Sequence, residues 1–561
     1  MAMAVAADGS VYVAAGVGFA DGSDYGVAKF DRDGNRWWAA SYNGVPDGYD
    51  VATDVAIDHE GNAYVTGWSW GDSSSFDAAT IKYDPNGNQL WVARFNGPDS
   101  LEDIGHAIAV DTNGNVIVAL SSTSVPHNVN FITVCYSPTG TQKWATVYDG
   151  PANAFDQPID LAVDSAGGVY VTGISTLNGL NTDFATLKYD TNGVEVWKAR
   201  YNGPANIEDA PVRLGLDGTG NVYVGGWSHG SNGVPDYALV KYRPDGQRSW
   251  AVRFDGLAGR YDYLSDMIVD RAGNVYVTGS SDTFAGDADW VTLKFNSNGA
   301  RVWLATYGGS FGVGDNPAFL AFDASGNVCL AGSLYTGESY AVATACYDVN
   351  GNRRWTAMYG ADTHANEFAS AIVTDVFGGV VVGGSSVITN FSQSFLVKYA
   401  QSNVVGAPVI TMPPVSSMVA ANASATFSVR AQGEGPLNYQ WLRGRTVVPG
   451  GSQTNLVINN AADPLAGYYS VEVQNHLGLV ASPAAELRVR GPVVPELSGA
   501  LSDGMLRIIL LGEAGFNYRV EASSDLITWE LVSMNYNQNS SIVITEPLSA
   551  TRRYYRAVKL P

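Results

Sequence analysis

Polar and apolar positions along the first 400 residues fall into short runs that keep coming back. "ATDVAID" (Ala52 to Asp58) is a short alternating apolar run, "HEGN" turns the chain, and "AYVTGWS" (Ala63 to Ser69) is a second β-rich run. After a variable loop come "DAATIKYD" (Asp77 to Asp84) and "QLWVARFNG" (Gln89 to Gly97). Each run is bounded by Gly, Asn, Asp or Pro, which predicts four short strands joined by turns. No copy shows a 3.6-residue apolar period, so helix is expected to be nearly absent.

The unit recurs eight times. Its leading aspartate stands at Asp8, Asp58, Asp111, Asp164, Asp217, Asp270, Asp323 and Asp375, in steps of 50, 53 (five times) and 52 residues. So regular a period means one supersecondary unit stacked many times. A four-stranded sheet cannot bury both faces alone, and radial stacking of such sheets does bury them. The expected fold is therefore all-β, a β-propeller of eight blades, with seven blades the alternative. Small residues at Ala56, Ala63, Thr66, Gly67 and Ala79 would let sheets approach face to face. A tryptophan four residues after a turn glycine (Trp38, Trp91, Trp144, Trp197, Trp250, Trp303 and Trp355) would fill the wider outer part of the wedge. The eighth copy stops at its third strand, "FLVKY" (Phe395 to Tyr399). A three-stranded last blade with an exposed edge is expected. The natural reading frame is then expected to begin upstream, with a signal peptide and a W…YNG-type strand.

"AVDTNGNVIVA", "AVDSAGGVYVTG" and "IVDRAGNVYVTG" resemble the bacterial β-propeller repeat known as SBBP. That resemblance spans residues 1–400. It implies an extracellular or cell-surface protein and carries no common catalytic residues. Residues 401–407 read as a linker. Residues 408–490 resemble a bacterial immunoglobulin-like domain, with Trp441 as its core tryptophan and Tyr469 at the tyrosine corner. The family's disulfide positions fall on Val429 and Val471, so a hydrophobic contact is expected to replace the bridge. Residues 495–561 resemble a small C-terminal β-sandwich module of secreted proteins.

Composition narrows the function. Abundant glycine (63) and sparse Lys and Arg (32) suit a turn-rich β protein. A formal net charge of −22 disfavours nucleic acid and anionic membranes as partners. No apolar run approaches transmembrane length. Cys135, Cys329 and Cys346 lie in strand-like runs and read as small buried hydrophobes. A disulfide between Cys329 and Cys346 is compatible with the sequence but not implied by it.

The leading functional candidate is an acid eight residues before each leading aspartate: Asp50, Asp103, Asp156, Asp209, Asp262, Asp315 and Glu367. In a propeller these would ring one mouth of the channel, able to hold Ca²⁺ or to attract a cationic or polyhydroxy ligand. Their mutual repulsion does not demand a metal, at about 0.5 kcal/mol per adjacent pair in water. Side-chain to backbone bonding that sets the loop is the simpler account. The D-x-N-G-N segments place glycine fourth, where a tight hairpin needs it and an EF-hand does not. The third-strand lysines Lys29, Lys82, Lys188, Lys241, Lys294 and Lys398 are expected to pair with strand-end aspartates; Cys135 and Cys346 replace two of them. Trp68 and Trp227 stand where other copies lack tryptophan, either packed between sheets or forming an aromatic platform for a sugar ring or an apolar partner.

"YDPNGNQLW" and "YDTNGVEVW" resemble the tryptophan-docking motif of quinoprotein dehydrogenases, but lack its residue between Asp and Gly, its threonine and the family's cysteine pair. Six histidines are scattered without metal-ligand spacing, and no G-x-S-x-G elbow or P-loop occurs. The expected function is therefore a monomeric, non-catalytic binding, adhesion or scaffold protein with a glycan or protein ligand. A secreted enzyme, polysaccharide-active or quinoprotein-like, with its site at the channel mouth, is the alternative.

Overall fold

Each period of the sequence folds as one antiparallel sheet whose strands keep chain order, as the computed structural model shows. It describes the chain except residues 20–21, 45–47, 72–74, 126–127, 179–180, 257, 283–287, 309–314, 361–364, 376–377, 389–390, 400–407, 445, 463–464, 476–477, 483, 491–495, 503–504, 512–515, 538–540, 548–552 and 561. The expected linker 401–407 thus lies outside the described residues. Six periods give separate sheets of four strands in the order first to fourth, the seventh gives four strands in the same order whose last, Arg353–Tyr359, also pairs with Gly478–Ala481, and the eighth gives three strands. The second sheet serves as the pattern, with strands Asp50–Ile57, Ala63–Trp70, Phe76–Tyr83 and Gln89–Phe95. No α-helix occurs among the described residues.

Local chemistry explains the regularity. In the first turn Asp58 takes the amides of Glu60 and Asn62 on one oxygen and the Asn62 side chain on the other. Gly61 follows at φ 82°, a backbone state that costs glycine little. This is turn chemistry, repeated at Asp111, Asp217, Asp270 and Asp323.

Packing between sheets rests on the small second-strand residues. Any side chain at Gly226 would meet the ring of Phe184, which reaches over from the third strand of the preceding sheet, and Gly173 lies under Phe131 in the same way. Tyr, Val and Leu side chains fill the rest of each interface, and the resulting clusters run from sheet to sheet. The architecture is that of a β-propeller.

Seven first strands carry a one-residue bulge where they pair with the second, for example between Ala52 and Asp54. Bulges re-aim side chains. Here the segments around them line the central channel.

Cys329 and Cys346 face one another across the second and third strands of the seventh sheet and form a disulfide. Cys135 is a free, buried thiol.

The chain divides into two compact units. The first contains the eight sheets together with Ser428–Asn455 and Tyr468–Ala485. In it Trp441 is fully buried, pairs in register with Val471 and donates its indole N–H to the Gln453 carbonyl at 2.8 Å. Val429, Tyr469 and Val471 are buried as well. The second unit contains Val415–Phe427, Leu456–Gly467 and Glu486–Pro561. Its C-terminal part is two three-stranded sheets that share a core of Ile508, Leu510, Tyr518, Val520 and Ile544.

Candidate functional site

The seven candidate acids sit where the chain enters each first strand, and all are buried. Five are used identically. Asp50, Asp103, Asp156, Asp209 and Asp262 each accept the amide of a glycine six residues earlier, at 2.5–2.9 Å. Asp315 takes the Tyr335 amide at 3.2 Å, and Glu367 the Ser386 hydroxyl at 3.0 Å. The five glycine bonds tie the loop between consecutive sheets, whereas those of Asp315 and Glu367 stay within one sheet. Burial raises the carboxyls of Asp103 to about 6 and Asp262 to about 7, and pushes those of Asp156 and Asp209 up as well. At one junction Asp236, Asp255 and Asp262 bring one oxygen each within 4.8 Å of one another. Arg253 already sits 2.7 Å from Asp236 there, supplying a cationic partner.

The channel itself is lined by a different set, three or four residues further along. A cavity of about 330 Å³ is walled by Asp54, His106, Asp160, Arg213 and Asp266 among apolar neighbours. The sequence reading missed these because they do not recur in every copy: Asp stands there in the second, fourth and sixth sheets, Arg in the fifth. The signal was a period of two repeats. Each carboxylate bridges to the next sheet. Asp54 accepts the amides of Val55 and Ile108, Asp160 those of Leu161 and Leu214, and Asp266 those of Met267 and Leu320. Arg213 also pairs with Asp266 at 2.8 Å, and that carboxylate raises its pKa further. Burial lifts Asp54 to about 6, raises Asp160, and lowers His106 to about 4. His106 Nε2 lies 2.9 Å from Ser121 Oγ and 3.3 Å from Gln157 Nε2.

The third-strand lysines correct a sequence expectation. Among the described residues an amine meets a strand-end aspartate at Lys398, 2.7 Å from Asp375. The other lysines stand over the ring of the tyrosine opposite them: Lys82 over Tyr64, Lys188 over Tyr170, Lys241 over Tyr223 and Lys294 over Tyr276, each about 5 Å from the centroid. In three of these sheets the tyrosine hydroxyl, not the amine, reaches the aspartate. The pairing explains the cysteines. Where Lys gives way to Cys135 or Cys346, the tyrosine opposite has become Ile117 or Cys329.

Trp68 and Trp227 lie at the same end of the propeller as the seven acids, half-buried. Trp68 packs edge-on against Phe76 at 4.3 Å. Trp227 packs against His229 and against Tyr263 of the following sheet, and Tyr263 stacks on Tyr261 at 6.2 Å. Tyr261 and Tyr263 are 52% and 40% exposed. An aromatic surface of this kind suits a sugar ring or an apolar side chain.

Two segments, residues 41–73 and 256–283, match the family model described as "Beta-propeller repeat", SBBP. These two segments are similar to the SBBP repeat. The matched SBBP segments include two of the seven acids, Asp50 and Asp262, and both Trp68 and the Tyr261–Tyr263 pair. Over 201 residues the chain is 27% identical to an uncharacterized WD repeat-containing protein of Acanthamoeba polyphaga mimivirus, covering 27% of this chain and 14% of that one. The chain therefore spans about one seventh of that relative's length. Among solved structures, a chimeric titin Z1Z2 is 28% identical over 16% of this chain and 99% of its own, with a TM-score of 0.15. The polysaccharide lyase Uly1 is 10% identical over 64% of this chain and 92% of its own, at 0.39. Likenesses this loose define neither a shared fold nor an activity.

Proposed function

We propose that this is a non-catalytic binding or scaffold protein, an eight-bladed propeller followed by an immunoglobulin-like domain and a small β-sandwich. It presents ligand contacts at the propeller end where the seven acids and Trp227 lie. One observation carries the reading. The channel carboxylates Asp54, Asp160 and Asp266 are spent on backbone amides and on Arg213, whereas Tyr261 and Tyr263, beside the half-buried Trp227, are exposed. The ligand class is a glycan or a protein segment with an apolar side chain. A buried disulfide and a strongly acidic surface support an extracellular or cell-surface location for a monomeric protein.

The test is a glycan array and a titration with the hits, using the full chain and Trp227→Ala. Loss of binding without loss of melting temperature supports the proposal; equal binding by both proteins contradicts it. Repeating the melts in Ca²⁺ and in chelator asks whether the buried acids hold a cation. A rise with Ca²⁺ would give them that role, and no shift leaves them as loop ties.

The second reading is an enzyme working in the channel, favoured by an Asp54 carboxyl that titrates near 6 close to Asp160 and Arg213. Turnover of a polysaccharide that Asp54→Asn abolishes, with folding intact, would establish it.

A further inference from the structure

One sheet junction gathers more negative charge than its own cation answers. Asp236 lies on the third strand of the fifth sheet, Pro235–Tyr242, and Asp255 directly follows the fourth, Arg248–Phe254. Asp262 opens the first strand of the sixth sheet, Asp262–Val269. One oxygen of each lies within 4.8 Å of the other two. Arg253 reaches Asp236 Oδ2 at 2.7 Å and turns its remaining hydrogen bonds to the Ser228 hydroxyl and carbonyl. One guanidinium thus stands against three carboxylates.

Two oxygens of this group are buried and bare. Asp236 and Asp262 are 4% and 1% exposed, and Oδ1 of each accepts no hydrogen bond. A buried acceptor left without a partner is costly, so its place calls for an occupant. The Ser281 hydroxyl stands beside Asp262 and eases its charge without meeting Oδ1 in hydrogen-bond geometry. A Cβ on Gly256 would collide with both of these oxygens. Burial first, and the charges of Asp236 and Asp255 besides, push the Asp262 carboxyl up to about 7. A cation among the three would relieve what now favours the proton.

The second and fourth sheets separate what belongs to the repeat from what is added at this junction. Both keep the ion pair, Arg94 with Asp77 at 2.9 Å and Arg200 with Asp183 at 3.0 Å. Oδ1 of Asp77, Asp103 and Asp183 is bare there too. Yet Asn96 and Asn202 stand where the fifth sheet has the exposed Asp255. In the third sheet Asn130 replaces the strand acid, and Asp149 accepts the Asn128 side-chain amide at 3.3 Å. The bare pair is a property of the repeat; the third carboxylate is particular to the fifth sheet.

We propose that Asp236, Asp255 and Asp262 form a site for one Ca²⁺ ion, with Asp236 Oδ1 and Asp262 Oδ1 as its buried ligands and Asp255 closing it from the solvent side. Charged oxygen ligands suit a hard divalent cation. Ser281 offers a fourth oxygen, and the exposed side admits water. The ion bridges the fifth and sixth sheets, whose Trp227 and Tyr263 pack together at 5.5 Å.

The test is calorimetric titration of Ca²⁺ into the full chain after stripping with chelator, and saturable binding is expected. Asp255→Asn should bind at least tenfold more weakly. Without Ca²⁺ it should melt no lower than the unaltered protein, because asparagine already fills that place in two other sheets. Asn96→Asp, introduced into the Asp255→Asn chain, should restore binding by completing the same trio with Asp77 and Asp103. Tb³⁺ in place of Ca²⁺ should luminesce under tyrosine excitation, since Tyr261 and Tyr263 flank Asp262, and that signal should fall in Asp255→Asn. No saturable binding, equal binding by Asp255→Asn, or no recovery with Asn96→Asp would overturn the proposal. No glycan or peptide enters these measurements, so this site and the Trp227 surface can fail separately.

Discussion

The two ends of the propeller are made from the same repeats, yet they are built differently. At the turn end every connection between first and second strands, and between third and fourth, has five residues. At the loop end the connections between second and third strands range from two to five, and those from one sheet to the next from six to eight. Where length is constant, polar side chains are used up locally, as Asp58 is by Glu60, Asn62 and Tyr64. Where length varies, aromatic side chains such as Tyr261 and Tyr263 remain in solvent. Regularity marks architecture in this chain, and departures from the repeat mark where aromatic side chains stay exposed.

The largest expected effect tests the architectural half. Trp197→Ala removes an indole that covers Gly246 and bonds Pro244, and should cost about 3 kcal/mol. Denaturant unfolding measures it. A cost below about 1 kcal/mol would mean that the fourth-strand tryptophans do not hold the sheets together.

Next comes a pH dependence from the buried acids. Asp262 has a folded pKa of about 7, well above its unfolded value, so the folded state binds the proton more tightly. Stability is therefore gained as pH falls through 7 and is fully present below the unfolded value. Asp54 and Asp103, each near 6, act in the same direction, while His106, lowered to about 4, opposes them below pH 6.5. The melting temperature should rise from pH 8 to pH 5. Asp262→Asn should raise the pH 8 value and flatten the rise. A steady fall over that range would contradict the burial account.

A smaller effect separates the corrected lysine role from an ion pair. Lys82→Met should cost under about 1 kcal/mol, with little change between low and high salt, because its amine meets the Tyr64 ring and a carbonyl. Strong salt sensitivity of that difference would restore a carboxylate partner.

Much of the fold was legible because the repeat states it eight times. The strands, the tight turns at Asp58 and its counterparts, and the short eighth sheet all follow from period and turn chemistry. The tryptophan contacts were legible as packing, but not as the specific reach to Pro85 or Ser297 in the next sheet. The channel set Asp54, Asp160, Arg213 and Asp266 was hidden because a one-residue bulge, invisible in sequence, decides what faces inward. The disulfide was open for a related reason: only strand register places Cys329 opposite Cys346. Of the candidate site, Trp227 was visible as an irregularity, whereas its neighbours Tyr261 and Tyr263 come from the adjoining sheet.

The central claim is that the loop end binds and that the channel does not react. Its most direct test is titration of a glycan-array ligand into the full chain, Trp227→Ala and Asp54→Asn in parallel. The account predicts binding that Trp227→Ala weakens at least tenfold, that Asp54→Asn leaves unchanged, and that no product accompanies. Ligand turnover lost in Asp54→Asn but retained in Trp227→Ala would contradict it.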